Sequence, residues 1–306
     1  MFLITIHFKN QLKKVFIICG PTAVGKTAVA IQVAQRLGTA VISADSRQCY
    51  REMSIGTAKP SAEELNTVNH YFIDEFPVTA DLSAADYETQ ALHYLDGIFA
   101  AHDTAVVCGG TGLYIKALCE GLDAMPAVDS VIAAGVEKGY DQGGLLWLQE
   151  CVQKEDPEFY EQGEIQNPAR MLRALSFIRS TGKSIVQFRS GNKKQRDFQI
   201  IKVGLQLPRE QLYGRINKRV EQMMAAGLQA EVEGLYPYRV NKNLQTVGYT
   251  ELFDFIEGKY TLAGAVEKIK QHTRNYAKRQ MTWFSKDKEI MWFRADEEDL
   301  VKKILA

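Results

Sequence analysis

The sequence has no apolar run approaching the ~20 residues that a helix needs to cross a bilayer, so a membrane-spanning reading is excluded. Cysteine is sparse. None of the five (Cys19, Cys49, Cys108, Cys119, Cys151) stands in a CxxC pair, which removes the zinc-knuckle and redox-motif readings. Cys19 and Cys108 lie inside apolar runs and read as small buried hydrophobes. Net charge is absent too, with 37 basic against 37 acidic residues, so there is no global pull on nucleic acid or acidic lipid. The opening MFLITIHFKNQLKK has an apolar patch, but its lysines follow the patch and no small-residue cleavage site is visible, so no secretory signal is read there. A start codon placed too far upstream would also explain it. Cytoplasmic residence is the expectation.

What is present is an ordinary globular composition, 46% hydrophobic and 24% charged, in 306 residues, room for about two domains. Charge is segregated despite its zero sum. Residues 61–103 hold nine acidic residues and no lysine or arginine, whereas 259–288 hold eight basic against two acidic. A basic run is commonly a solvated helix face, but Tyr276, Trp283 and Phe284 are interleaved here, as on nucleic-acid surfaces.

Three β-branched runs, VFIIC (15–19), AVISA (40–44) and TAVVC (104–108), read as buried parallel strands. Helical spacing fills the intervals, at 28–37 closed by Gly38 and at about 83–101. The series is βαβ, hence α/β with a parallel sheet. From about Gly121 to Ser190 the period becomes helical throughout, and QIIKVGLQL (199–207) then reads as a strand followed by a helix from Arg209 to a Gly227 cap. The expected organisation is a core at 13–120, a mainly helical insertion at 121–197, and a second core part at 198–306 with basic C-terminal helices.

Gly20, Pro21, Thr22, Ala23, Val24, Gly25, Lys26 and Thr27 spell GxxxxGK[ST] between a strand and a helix. By average residue usage a chance match in such a chain is about a one-in-a-hundred event. The glycines let successive N–H groups face an anion, the helix dipole adds to them, Lys26 supplies charge and Thr27 can bind Mg²⁺. A P-loop NTPase-like sheet follows, with a diphosphate-bearing ligand at its carboxyl edge. Taken alone, the loop implies ATP or GTP. Asp45, in SADSRQCY, reaches the same edge as a Mg²⁺-water ligand, a cap or a general base. Thr111 reaches it in CGGTGLYIKAL, and Arg215 with Arg219 share a helix face as diphosphate clamps or surface ion-pair partners.

The ordered segments GPTAVGKT, ISADSRQCYREMSIGTAKP, GGTGLYIKAL, DPEFY, RMLRALSFIRSTGKS, RINKRVEQMMAAGLQAEV, QTVGY and AKRQMTWF together resemble the tRNA dimethylallyltransferases over about residues 14–285. The resemblance implies that the diphosphate is that of dimethylallyl diphosphate and that the acceptor is N6 of the adenosine 3′ of the anticodon, position 37. It implies Asp45 as the base, with Thr22, Lys26, Arg219, the loop amides and Mg²⁺ held through Thr27 stabilising the departing oxygen, and Thr111 beside them. It also implies tRNA contacts from Asp45, Ser46, Arg47 and Gln48; from Thr111 and Ala133; from Ala169, Arg170, Met171, Leu172 and Arg173; from Thr246, Val247, Gly248 and Tyr249 on to Glu251; and from Lys278, Arg279, Gln280 and Trp283 on to Ser285. The chain departs from the family pattern at Ala133, where an arginine is usual, and at the start of the 169–173 segment, where glutamine is frequent. It lacks the C-terminal zinc finger of eukaryotic relatives, which points to the bacterial type. The expected partners are tRNA and dimethylallyl diphosphate, with no membrane, and the expected state is a monomer. Two other readings share these residues: an adenylate isopentenyltransferase, which needs neither insertion nor basic helix, and an RNA-binding protein whose loop senses a nucleotide.

Overall fold

A computed structural model describes residues 12–306; the opening segment weighed above as a signal or an over-long start lies almost wholly in 1–11, outside the described residues. Six strands form one sheet: β1 (Lys14–Cys19), β2 (Val41–Ser43), β3 (His70–Tyr71), β4 (Thr104–Gly109), β5 (Gln199–Gln206) and β6 (Met291–Arg294), in the order β3-β2-β4-β1-β5-β6. Every pairing is parallel. β1 is central because it is apolar on both faces. Val15, Ile17 and Cys19 enter one core with Tyr87, Leu95 and Leu118, while Phe16 and Ile18 enter the other with Val29, Val33 and Ile216.

The helices obey the local signals. Lys26–Leu37 stops at Gly38, whose φ of 62° lets its N–H reach the carbonyls of Ala34 and Gln35. Arg209–Ala225 runs up to Gly227, which at φ 99° caps the next helix, Leu228–Leu235. Leu262–Phe284 starts where the Thr261 hydroxyl accepts from the Gly264 N–H, and it buries Ala265, Ile269, Ala277, Gln280 and Phe284 at helical spacing. Its 23 residues make a rod of about 35 Å.

β3 and β6 are the sheet's two edges and had no sequence signal. β3 is only His70–Tyr71, and β6, MWFR, has three of its four residues apolar but is only half-buried at most. Neither is long enough to show a period.

The chain divides into two compact units, one containing the described residues up to Glu120 together with Gln195–Ala306, the other Gly121–Lys194. In the second unit, helices Ser130–Glu155 and Pro168–Thr181 share a core of Val136, Leu148, Val152, Met171, Leu175 and Phe177. The longer helix breaks at Gly144 (φ 66°, ψ −160°). Among the described residues no helix is long and apolar enough to cross a membrane.

In the first unit a buried ion pair ties the return of the chain to the sheet. Arg196 donates to Glu88 Oε1 at 2.8 Å and to the carbonyls of Leu118 and Ala117 at 2.8 and 2.9 Å, with both charged side chains under a tenth exposed. Arg196→Met would take the guanidinium from the buried Glu88 carboxylate and from two carbonyls, so urea unfolding is expected to show a loss of about 3–5 kcal/mol. A change below about 1 kcal/mol would mean that water reaches the pair.

Candidate active site

The glycine-rich loop leaves β1 under a steric constraint. A Cβ on Gly20 would lie 2.5 Å from the Leu205 carbonyl oxygen of β5, and its φ is 143°, so only glycine lets the chain turn there. Ala23 adopts φ 63°, a left-handed conformation costing a non-glycine residue roughly 1–2 kcal/mol. The surrounding contacts hold that strain. Lys26 Nζ donates to the Pro21 carbonyl at 2.8 Å, Arg215 donates to the Val24 carbonyl at 3.0 Å, and the Thr22 N–H donates to Gln280 Oε1 at 2.8 Å. Burial lowers the pKa of Lys26 from its ordinary value, so a charged ammonium there calls for an anion.

Asp45 follows β2. Its Oδ1 accepts from the N–H groups of Arg47 and Gln48 at 2.9 and 3.3 Å, which fixes the carboxylate as the cap of its own turn. Oδ2 has no hydrogen-bond donor among the described residues. The Thr111 hydroxyl accepts from the Ser46 N–H at 3.0 Å and so anchors the same turn from the turn after the neighbouring β4. Burial also lowers Arg219 from its ordinary value, with Asp45 pulling in the opposite direction. Burial, and then Asp45, push the Tyr276 phenol up to about 12, so it stays protonated.

Two cavities meet at these groups. One, of about 850 Å³, is walled by Gly25, Lys26, Thr27, Arg215, Lys218 and Ile55 among others. The second, of about 540 Å³, extends past Arg47, Thr246, Val247, Gly248 and Glu251 to His272, Asn275 and Arg279. Thr22, Asp45, Thr57, Arg219, Met223 and Tyr276 line both. Both volumes fall in the usual range of small-molecule sites. The arrangement puts a cradle for phosphate oxygens on one side, a carboxylate with a free oxygen at the junction, and a chamber large enough for a nucleobase on the other.

The sequence profile of the IPP transferase family matches residues 48–287. Among curated relatives, the tRNA dimethylallyltransferase of Cytophaga hutchinsonii is 45% identical over 93% of this chain and 94% of its own length. That of Christiangramia forsetii is 46% identical over 92% and 93%. The chain belongs to the tRNA dimethylallyltransferase family. The crystal structure of the tRNA isopentenylpyrophosphate transferase of Bacillus halodurans superposes with a TM-score of 0.70 at 35% identity, covering 96% of this chain and 93% of that one. A eukaryotic dimethylallyltransferase acting on tRNA shares the fold, with a TM-score of 0.79 at 24% identity over 96% of this chain and 78% of that one.

For this member of the family, several expected tRNA contacts have other work. Met171 is fully buried in the core of its unit, and Leu172 packs against that core, leaving Ala169, Arg170 and Arg173 as the exposed part of their segment; Ala133 is half-buried. Arg170 already pairs with Glu164 at 2.8 Å. Tyr249 is fully buried, its hydroxyl donating to Glu231 Oε1 at 2.6 Å, so it holds the core while Thr246, Val247 and Gly248 line the cavity. Gln48 donates to the carbonyls of Thr57 and Ala58 at 3.2 and 3.1 Å, bracing the IGTAKP segment. Thr111 lines neither cavity and acts on the Asp45 turn through Ser46. Lys278, Arg279 and Trp283 do form an exposed basic and aromatic patch with Asn275, Thr282 and Lys286.

Sequence reasoning missed Glu231 and Met223, and it named Tyr276 and Gln280 without the positions they take. Glu231 accepts from the N–H groups of Ser54, Ile55 and Gly56 at 3.1, 2.7 and 3.0 Å, holding the IGTAKP turn; a lone glutamate in a helix gives no such signal. Met223 and Tyr276 line both cavities, and only the i, i+4 spacing of Arg219 and Met223 on helix Arg209–Ala225 could have pointed to the methionine. Gln280 is buried, accepting from Thr22 and donating to the Gly110 carbonyl at 2.9 Å. It belongs to the protein's internal bracing rather than to the exposed patch of Lys278, Arg279 and Trp283. A Cβ on Gly110 would come within 2.2 Å of that amide, one on Gly112 within 2.2 Å of the Trp283 indole, and one on Gly109 within 2.2 Å of the Ala44 carbonyl oxygen, which accounts for the glycines of CGGTG. Gln280→Ala strips a partner from two backbone groups at once, so it is expected to lower stability by roughly 2–4 kcal/mol and to weaken pyrophosphate binding. Calorimetry showing both quantities unchanged would contradict the bracing role.

Proposed function

We propose that this chain transfers a dimethylallyl group from dimethylallyl diphosphate to the exocyclic N6 of adenosine 37, 3′ of the anticodon in tRNA, forming N6-isopentenyladenosine and diphosphate. The observation that carries this reading is the junction itself: Thr22, Asp45 and Arg219 stand where the cradle cavity opens into the second chamber. The donor enters from one side and the base from the other.

An adenine amine is a weak nucleophile because its lone pair is delocalised into the ring. As N6 forms its bond to the allylic carbon, the carbon–oxygen bond breaks, its electron pair passes to the bridging oxygen, and the proton on N6 goes to the free Oδ2 of Asp45. Bases of this kind contribute about 10²–10⁴ in rate. Negative charge grows on the departing oxygen. The Thr22 hydroxyl, Lys26 and Arg219 are the chain's own groups to meet it, and the two cations are already partly stripped of water by burial.

Mg²⁺ fits this cradle. The Thr27 hydroxyl lines the cavity with no hydrogen-bond partner among the described residues, and this ion commonly takes one or two protein oxygens, completing its shell with phosphate and water. When bound, it would neutralise diphosphate charge.

The acceptor base must leave its stack to reach the junction. Arg47 and Arg279 at the chamber, and the patch of Lys278, Arg279, Trp283 and Lys286, supply phosphate contacts and a stacking surface. The exposed Ala169, Arg170 and Arg173 are the remaining candidates in the helical unit. A monomer acting in the cytoplasm suffices for this chemistry.

Purified protein given Mg²⁺, dimethylallyl diphosphate and an anticodon stem-loop is expected to add one five-carbon unit to the RNA, read by mass spectrometry. Modification of AMP but not of the stem-loop would favour a free-nucleotide acceptor, and ATP hydrolysis with no alkylated product would overturn the reading. Asp45→Asn is expected to slow single-turnover transfer by about 10²–10⁴ while stem-loop affinity changes by less than about threefold.

A further inference from the structure

Alkyl transfer across the junction of the two cavities imposes a requirement that the polar groups there do not meet. The allylic carbon must lie between the departing oxygen and N6, so the rest of the isoprenoid tail has to be housed beside that line. Six residues line both cavities: Thr22, Asp45, Thr57, Arg219, Met223 and Tyr276. Asp45 and Arg219 are charged, Thr22 and Thr57 carry hydroxyls, and Tyr276 presents a ring with a protonated phenol. Met223 is the one wholly apolar side chain among them.

Its position relative to Arg219 is fixed by the helix. The two residues are four apart on Arg209–Ala225, so they stand one above the other on one face, about 6 Å apart at their Cβ atoms. A cation aimed at the diphosphate oxygen is therefore followed, one turn along, by an apolar group at the distance of a short hydrocarbon. Met223 is half-buried and packs against the larger core, which limits its retreat. Val247 and Ile216 extend the apolar wall into the second chamber, and Ile55 and Ala226 into the first.

We propose that Met223 is a specificity-determining residue that measures the donor's hydrocarbon tail, closing the junction around five carbons and turning away longer allylic diphosphates. This rests on the reading of the site as a prenyl-transfer centre. Methionine is unbranched and mouldable, suited to covering two methyl groups next to a reacting carbon. Each extra methylene accommodated or refused in such a pocket is worth about 10–200-fold in selectivity.

The test compares dimethylallyl and geranyl diphosphate as donors to the same stem-loop, in the unaltered protein and in Met223→Ala and Met223→Leu. Met223→Ala is expected to raise the ratio of kcat/KM for the ten-carbon over the five-carbon donor by about tenfold or more. Met223→Leu, close in volume, should shift the ratio by less than about threefold. Inhibition by inorganic pyrophosphate, which has no tail, should change by less than about threefold in both. Should Met223→Ala not fold, Met223→Val makes the same comparison. An unchanged donor ratio in the shortened variant overturns the inference and leaves the prenyl-transfer reading standing. Equal loss of pyrophosphate binding and of both donors also overturns it, because the side chain would then be shaping the cradle. If the unaltered protein alkylates no RNA from the five-carbon donor, the functional reading itself fails.

Discussion

The buried amide of Gln280 is the link on which the site's geometry depends. With one end it accepts from the Thr22 N–H of the loop after β1, and with the other it donates to the Gly110 carbonyl of the turn after β4. These two adjacent parallel strands deliver the phosphate cradle and the Gly110–Gly112 turn to one edge, and a side chain from the basic helix Leu262–Phe284 joins them. The helix that exposes Lys278, Arg279 and Trp283 is thereby tied to the loop that carries Lys26. Burial makes the link costly to break, since each freed backbone group would lack a partner away from water.

Electrostatics suit the cradle to an anion. Lys26 and Arg219 are both held below their ordinary proton affinity by burial, and Asp45 pulls both in the opposite direction. A diphosphate entering the cradle meets cations that have already lost much of their hydration, a preorganised arrangement that favours the charge growing on a departing oxygen. The two oxygens of Asp45 differ: Oδ1 caps the 45–48 turn, and Oδ2 has no hydrogen-bond donor among the described residues. Thr111, through Ser46, keeps that difference fixed.

Much of the fold was legible because its signals are local. The apolar runs became β1, β2, β4 and β5, the glycines at 38 and 227 stopped or capped helices, and the GxxxxGK[ST] spacing marked the cradle. The edge strands β3 and β6 were not legible, being too short to show a period. In the cavities, Lys26, Asp45 and Arg219 were legible as lining residues because their chemistry is unusual for a buried position. The inward turn of Met171, Tyr249 and Gln280, and the bonding of Gln48 to the carbonyls of Thr57 and Ala58, were not legible. A motif tells which residues matter without telling which way they face, and direction is set by packing between segments far apart in sequence. Glu231, which gathers three backbone N–H groups of the 54–56 turn, is the clearest case, because its partners lie about 175 positions away.

The most direct measurement is a crystal structure of the protein with an unreactive thio-analogue of dimethylallyl diphosphate and an anticodon stem-loop. The account predicts the diphosphate within the 20–27 loop, the tail against Met223, and an unstacked adenine with N6 within hydrogen-bond reach of Asp45. A nucleoside triphosphate in the loop in preference to the analogue, or an adenine on the far side of Arg219 from Asp45, would contradict it.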